Sequence, residues 1–274
     1  LKIYVNGAYY GLLENVEQIN RGFVRRHFGS NAGSLYAASP SMSDCGANAF
    51  TDSQAKLAYS GDSFSAYKTQ YKLDGTTTAA DAEKNLIPML KCGDATQTSS
   101  DADFKKCIAD WIDVEEWLKQ IAAETLMPTL QSWVGYYRNY YLYFNPDSAA
   151  PHGGRFAIWS WDLDSAFQRN KCYPTSCDPM TAVDSLFGPR GARAKLVIRL
   201  TNTFKTEYCK ALNDFASNAL STSKVDAMAK VIEPAMSNEP SVSAQAWQAE
   251  VTTIRDYFSS HTSTIKSLVA TTCP

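Results

Sequence analysis

The chain has 274 residues, 45% of them hydrophobic, which is enough for one large domain or two small ones around a buried core. Its 26 basic and 28 acidic residues nearly balance, and no basic cluster is longer than Arg25–Arg26. Nucleic acid is therefore a poor candidate partner. No apolar run approaches the roughly 18 residues that span a bilayer, so no membrane span is predicted.

Cysteine usage indicates the compartment. Seven cysteines are many for a cytosolic enzyme, and none has the paired spacing of a zinc site. Disulfides formed in an oxidising compartment explain them better. The pairs that we consider are Cys92 with Cys107, Cys172 with Cys177, and Cys209 with Cys273. Cys45 is left over, either as a free thiol or with a partner in sequence outside this chain.

The first predicted element is a β-hairpin over residues 1–17. Asn6–Gly7 is a strong turn signal, and the second strand pattern runs on to Glu17. Because a lone hairpin is marginal in water and the strand pattern begins at Leu1, we expect a missing N-terminal segment of the same domain. Residues 20–28 predict a short basic helix, and residues 37–105 an irregular, partly helical insertion held by cysteines.

Stronger periodicity follows. Residues 111–127 predict an amphipathic helix with Asp113 and Glu116 as its capping box, ended by Pro128. A second hairpin is predicted, with strands over 139–144 and 155–161. Beyond residue 190 the pattern is helical to the end, in segments near 192–218, 223–236, 243–258 and 261–270.

Two carboxylates, Asp162 and Asp164, follow the last predicted strand. In an extended chain they would share one face while Trp161 and Leu163 pack behind them. Paired carboxylates are hard oxygen ligands that suit Mg²⁺ or Mn²⁺ beside substrate phosphates. The alternative is that they only cap the turn that leaves the strand.

The order of the predicted elements favours a metal site over a turn cap for Asp162. A helix, a loop, an Asn that opens a strand, a hairpin and then an Asp is the order of a protein kinase C-terminal lobe. Asn139 and Asp162 would then converge on one metal. Taken alone, Asn139 is as readily a turn residue.

Several segments, taken in order, resemble the spore coat protein H (CotH) kinase-like family. They are Asn6 to Leu13, Val16 to Ile19, Gly33 to Tyr36, Asn139 to Tyr143, Trp161 to Phe167, and parts of the C-terminal helices. The resemblance covers nearly the whole chain except residues 37–105. It implies an α+β, atypical protein kinase-like fold, in which a β-hairpin remnant of the small lobe precedes a mainly helical C-terminal lobe with a second β-hairpin. The corresponding division is 1–36, 37–105 and 106–274.

The resemblance also implies an activity: ATP- and Mg²⁺- or Mn²⁺-dependent phosphorylation of Ser or Thr in secreted or surface proteins, such as those of a spore coat. Asp162 matches the metal-binding Asp, with Asp164 as a candidate second ligand, and Asn139 matches the Asn that opens the strand. Glu17 and Gln18 match the stretch that passes the adenine. For Glu17, a solvated carboxylate at a strand end is the other interpretation.

Two departures from the family pattern matter. Gln131 occupies the position where the family usually has an Asp, and Gln cannot accept the proton of a substrate hydroxyl, although it could orient a nucleophile. The Lys or Arg that would hold the phosphates belongs upstream of Leu1. An inactive relative, acting as a surface adhesin or coat-assembly scaffold, is therefore the alternative hypothesis.

Other features are weaker. The scattered histidines match no triad motif and are interpreted as ordinary surface residues. The tyrosines between residues 136 and 143 could stack on carbohydrate, as in an accessory protein of a polysaccharide enzyme, but strand packing explains them more simply.

Overall fold

The structure, a computed structural model, contains helices and two antiparallel sheets, which confirms the α+β class. It describes residues 1–38, 55–127, 133–137, 139–163, 166, 195–219, 221–237 and 239–273.

The N-terminal hairpin forms a separate two-stranded sheet. Strands β1 (Lys2–Val5) and β2 (Ala8–Leu12) flank a turn in which Asn6 and Gly7 both have positive φ, as predicted. The second strand ends at Leu12 and does not run on to Glu17. The reason is the length of its partner: the N–H of Leu13 already donates to the carbonyl of Leu1 at 2.8 Å.

The larger sheet has the strand order β4-β3-β5-β6, with all pairs antiparallel. Its strands are β3 (Ser34–Ala38), β4 (Tyr71–Leu73), β5 (Tyr140–Pro146) and β6 (Gly154–Ser160). The pairing of β5 with β6 confirms the second predicted hairpin. Gly33 permits a close approach just before β3, because a Cβ there would collide with the carbonyl oxygen of Phe144.

The first helix, α1 (Arg21–Phe28), confirms the predicted basic helix and is capped by the side chain of Asn20. It is followed by α2 (Ala79–Asp81), a π-helical turn (Ala82–Leu86), α3 (Ile87–Gly93), α4 (Asp101–Trp111) and α5 (Val114–Leu126). The predicted start of α5 at residue 111 is wrong. Ile112 is extended and pairs with Phe156, and Asp113 caps α5 by accepting the N–H of Glu116 at 3.1 Å.

The C-terminal helices are α6 (Trp133–Tyr136), α7 (Lys195–Thr203), α8 (Lys205–Asn218), α9 (Thr222–Met236) and α10 (Ala244–Thr272). The predicted break near residue 260 is wrong, because α10 is continuous over 29 residues. Ser260 and Thr262 lie within this helix, where their hydroxyls donate to the carbonyls one turn earlier, at Asp256 and Phe258. Among the described helices, none is both long enough and apolar enough to cross a membrane.

The sheet is buried on both faces. Tyr36, Leu142 and Phe156 belong to the main core, which includes residues of α3 to α5, α7, α8 and α10. On the opposite face, Leu35 and Tyr143 form a smaller cluster with Val24 and its neighbours on α1. The predicted disulfides Cys92–Cys107 and Cys209–Cys273 are present; they join α3 to α4 and α8 to the end of α10. Cys45, Cys172 and Cys177 lie outside the described residues.

Candidate functional site

Asn139 and Asp162 lie together at the open end of the β5–β6 hairpin. The N–H of Trp161 donates to the carbonyl of Asn139 at 2.7 Å, which fixes the two ends of the hairpin beside each other. The amide nitrogen Nδ2 of Asn139 lies 3.4 Å from the carbonyl oxygen of Asp162 and 3.5 Å from its carboxylate oxygen Oδ2. Residues 23 positions apart are thus brought into one polar site.

The backbone at this end of the hairpin is unusual. Tyr137, Asn139 and Asp162 have φ of 62°, 57° and 56°, a region that costs most side chains about 1–2 kcal/mol. Asn and Asp tolerate it best, and such residues cluster where a site imposes the conformation. β6 ends at Ser160, one residue before the predicted end at Trp161, and the positive φ of Asp162 departs from the extended chain in which Asp162 and Asp164 would share one face. Asp164 and Gln131 lie outside the described residues.

The donor set fits a hard divalent cation. Asp162 is exposed and offers a carboxylate, while Asn139 is half-buried and carries an amide. Mg²⁺ commonly binds through one or two carboxylates together with substrate phosphates and waters. In the described part of the chain, no cluster of three His, Cys, Asp or Glu side chains could hold a metal by itself.

Glu124 is a site neighbour that the sequence analysis missed. It lies on α5, only 4% exposed, and its carboxylate accepts hydrogen bonds from Gln120 at 3.0 Å and from the hydroxyl of Ser160. The N–H of Val134 also approaches it, at 3.5 Å. Glu124 thus connects α5, the segment after Gln131 and the strand that leads to Asp162. The available signal was a Glu on the apolar face of the helix, seven residues after Trp117.

The tyrosines of β5 are largely structural. Tyr140 and Tyr143 are buried, and their hydroxyls donate to the carbonyls of Ala55 at 2.6 Å and Ser30 at 2.7 Å. This confirms strand packing for these two residues. Tyr141 is half-buried and stacks on Trp159, and burial raises the pKa of its hydroxyl.

Glu17 and Gln18 lie in an exposed segment between β2 and α1. The carboxylate of Glu17 accepts hydrogen bonds from Arg26 and pairs with His27, whose ring nitrogen is 2.9 Å away. The hydrogen bond to His27 and then that to Arg26 lower the pKa of Glu17 below its usual range. These contacts connect Glu17 to α1.

The fold and the site together define an α+β protein with disulfides, in which a strand hairpin presents an Asn–Asp pair at its open end. The family described as "CotH kinase protein" matches residues 1–265, so the chain belongs to the CotH kinase family. None of the curated proteins compared with the chain matches it. Family membership suggests a kinase-like function and names no substrate.

Proposed function

We propose that this protein is an ATP- and divalent-metal-dependent protein kinase that phosphorylates Ser or Thr of secreted or surface proteins. The observation that carries the proposal is the pairing of Asn139 with Asp162 at the end of the hairpin, in a chain of the CotH kinase family. The disulfides support an oxidising compartment and hence an extracellular target.

Each site residue has a proposed role. Asp162, with Asn139 beside it and Asp164 as a second candidate ligand, would hold Mg²⁺ or Mn²⁺ against the phosphates of ATP. The metal would neutralise charge on those phosphates. Glu17 and Gln18, in the segment that joins the hairpin to α1, would lie near the adenine. Residues 1–36 would then be the end of a small lobe and 106–274 the C-terminal lobe, with 37–105 inserted between them.

The acceptor oxygen would form a bond to the γ-phosphorus while the bond to ADP breaks. The proton of the acceptor hydroxyl needs a destination, and Gln131 cannot take it, since an amide is not a base at neutral pH. Gln131 could hold the hydroxyl in position by a hydrogen bond, with the proton passing to solvent.

The test is calorimetric titration of the full-length protein with ATP and Mn²⁺. The wild type should bind ATP only with the metal present, and Asp162→Ala should weaken binding by about a hundredfold, because it removes a charged ligand. Asp256→Ala, which removes an exposed carboxylate of α10, is the matched control and should bind like the wild type. A wild type without metal-dependent nucleotide binding contradicts the proposal.

Gln131 favours a second candidate function, that of a catalytically inactive adhesin or coat-assembly scaffold. The discriminating experiment is Gln131→Asp, assayed by transfer of labelled phosphate from ATP. Autophosphorylation gained by this variant would show that only the base was missing. If neither form transfers phosphate and a protein partner still binds Asp162→Ala, the scaffold is favoured.

A further inference from the structure

A groove of about 550 Å³ lies between α1 and α5, at the turn end of the β5–β6 hairpin. Its floor is β6, which with β4 forms the two edges of the larger sheet in the described part of the chain. Phe23 and Phe28 of α1 form one wall, and Trp117 and Gln120 of α5 form the other. Asn139 and Asp162 do not line this groove, so it is distinct from the proposed metal site, while its wall residue His27 bonds to Glu17, which is proposed to lie near the adenine.

The backbone of β6 is oriented for pairing along this groove. Trp161 bonds to Asn139, the residue before β5. In this register the backbone N–H and C=O groups of odd-numbered β6 residues point toward β5, and those of even-numbered residues point outward. The outward-pointing backbone groups of Phe156 already have partners. Phe156 forms a parallel bridge with Ile112, and its carbonyl accepts the indole N–H of Trp117 at 2.8 Å. Ile158 is the next outward residue and lines the groove. An extended peptide could continue the ladder there.

Two polar atoms in the groove walls support a ligand with both a donor and an acceptor. The amide oxygen Oδ1 of Asn145 and the indole nitrogen of Trp159 are buried and have no hydrogen-bond partner within the described residues. Burial of such a group without a partner costs about 1–3 kcal/mol. Asn145 pairs with Arg155, and Trp159 lies four residues further along β6, so an extended peptide would meet them with two separate groups, a donor at Asn145 and an acceptor at Trp159.

The charged residues that line the groove favour a positively charged ligand. Asp113, Glu116 and Asp147 line it against a single arginine, Arg155, while the nearby His27 is engaged by Glu17. Asp113 is committed to capping α5. Glu116 is 66% exposed and shares Lys119 with Glu115, while Asp147 is exposed, so even with Lys119 counted three carboxylates stand against two cations. A basic side chain at the mouth of the groove would therefore be attracted.

We propose that this groove docks an extended segment of the acceptor protein, in which Lys or Arg is followed by apolar residues at alternate positions. The basic residue would meet Glu116 and Asp147. The alternate apolar side chains would pack against Phe23, Phe28 and Trp159, because successive side chains of a strand point to opposite sides. That the segment belongs to the phosphate acceptor rests on the proposed function, whereas the docking itself does not.

The test uses a randomised library of nine-residue peptides displayed on phage and selected on the immobilised full-length protein without nucleotide. Peptides with Lys or Arg before alternating apolar residues should be enriched. The most enriched peptide, synthesised with a fluorophore, is then titrated by anisotropy at low salt. Its affinity should fall about tenfold in Glu116→Lys, which replaces attraction by repulsion at the groove.

Glu115→Lys is the matched control. Glu115 lies next to Glu116, is 68% exposed, and pairs with the same Lys119, but it does not line the groove. It should change the affinity less than twofold. Ala157→Phe places a larger side chain in the groove from β6 and should abolish binding of the peptide. Circular dichroism checks that this variant is folded.

The inference is overturned if no peptide motif is enriched on the wild type relative to Ala157→Phe. It is also overturned if the selected peptide binds Glu116→Lys and Glu115→Lys equally. Asp162→Ala should bind the peptide like the wild type. A wild type that binds the peptide but shows no metal-dependent nucleotide binding would count against the kinase proposal alone. A wild type that binds nucleotide with the metal but enriches no peptide would count against the docking groove alone.

Discussion

Replacement of Glu124 tests whether α5 supports the Asn139–Asp162 site. In Glu124→Ala, Gln120 and Ser160 lose the acceptor that they share inside the protein. A buried group left without its hydrogen-bond partner costs about 1–3 kcal/mol, so losing both bonds should lower the free energy of unfolding by about 2–5 kcal/mol. Glu124→Gln keeps the shape and one acceptor oxygen, and should lose about 1–2 kcal/mol.

The assay combines two measurements on the same variants. Urea unfolding followed by circular dichroism gives the stability, and calorimetric titration with ATP and Mn²⁺ gives the nucleotide affinity under conditions where every variant is folded. Because Ser160 lies two residues before Asp162, we expect Glu124→Gln to weaken nucleotide binding by about tenfold, as the strand end loses its support.

Tyr36→Phe is the control: Tyr36 lies on β3, and the variant deletes its buried hydrogen bond of 2.6 Å to Asn85 of the π-helical turn, at a cost of about 1 kcal/mol. It should lower stability without changing nucleotide affinity. The reasoning is refuted if Glu124→Gln is as stable as the wild type, or if Tyr36→Phe weakens nucleotide binding equally.

Two further predictions concern the fold. The double replacement Cys209→Ala/Cys273→Ala opens a loop of 64 residues, and Cys92→Ala/Cys107→Ala one of 15. Loop entropy predicts losses of about 4 and 3 kcal/mol. Urea midpoints measure both, and an inverted order would contradict the entropic account. Gly33→Ala should cost about 1–3 kcal/mol by overpacking against the neighbouring strand, which thermal unfolding checks; an unchanged midpoint would rule out the close approach.

Local signals in the sequence were sufficient for much of the fold. The turn at Asn6–Gly7, the helix over residues 20–28 and the β5–β6 hairpin depend on short-range chemistry, and the structure confirms them. The disulfides at Cys92–Cys107 and Cys209–Cys273 were also predicted, because few cysteines were available as partners in each region. Where local chemistry was ambiguous, prediction failed: the Ser/Thr run near residue 260 looks like a linker, yet its hydroxyls bond within α10.

The candidate site shows most clearly what the sequence determined and what the tertiary structure decided. The sequence alone determined the family resemblance and the candidates Asn139 and Asp162, because their order between a helix and a hairpin is a linear property. Tertiary structure decided that the chain turns at Asp162, since left-handed backbone at an Asp has no unique local signal. It also decided that Glu124 is buried against Ser160, and that a groove follows the edge of β6. Those contacts join segments far apart in sequence, and only packing brings them together.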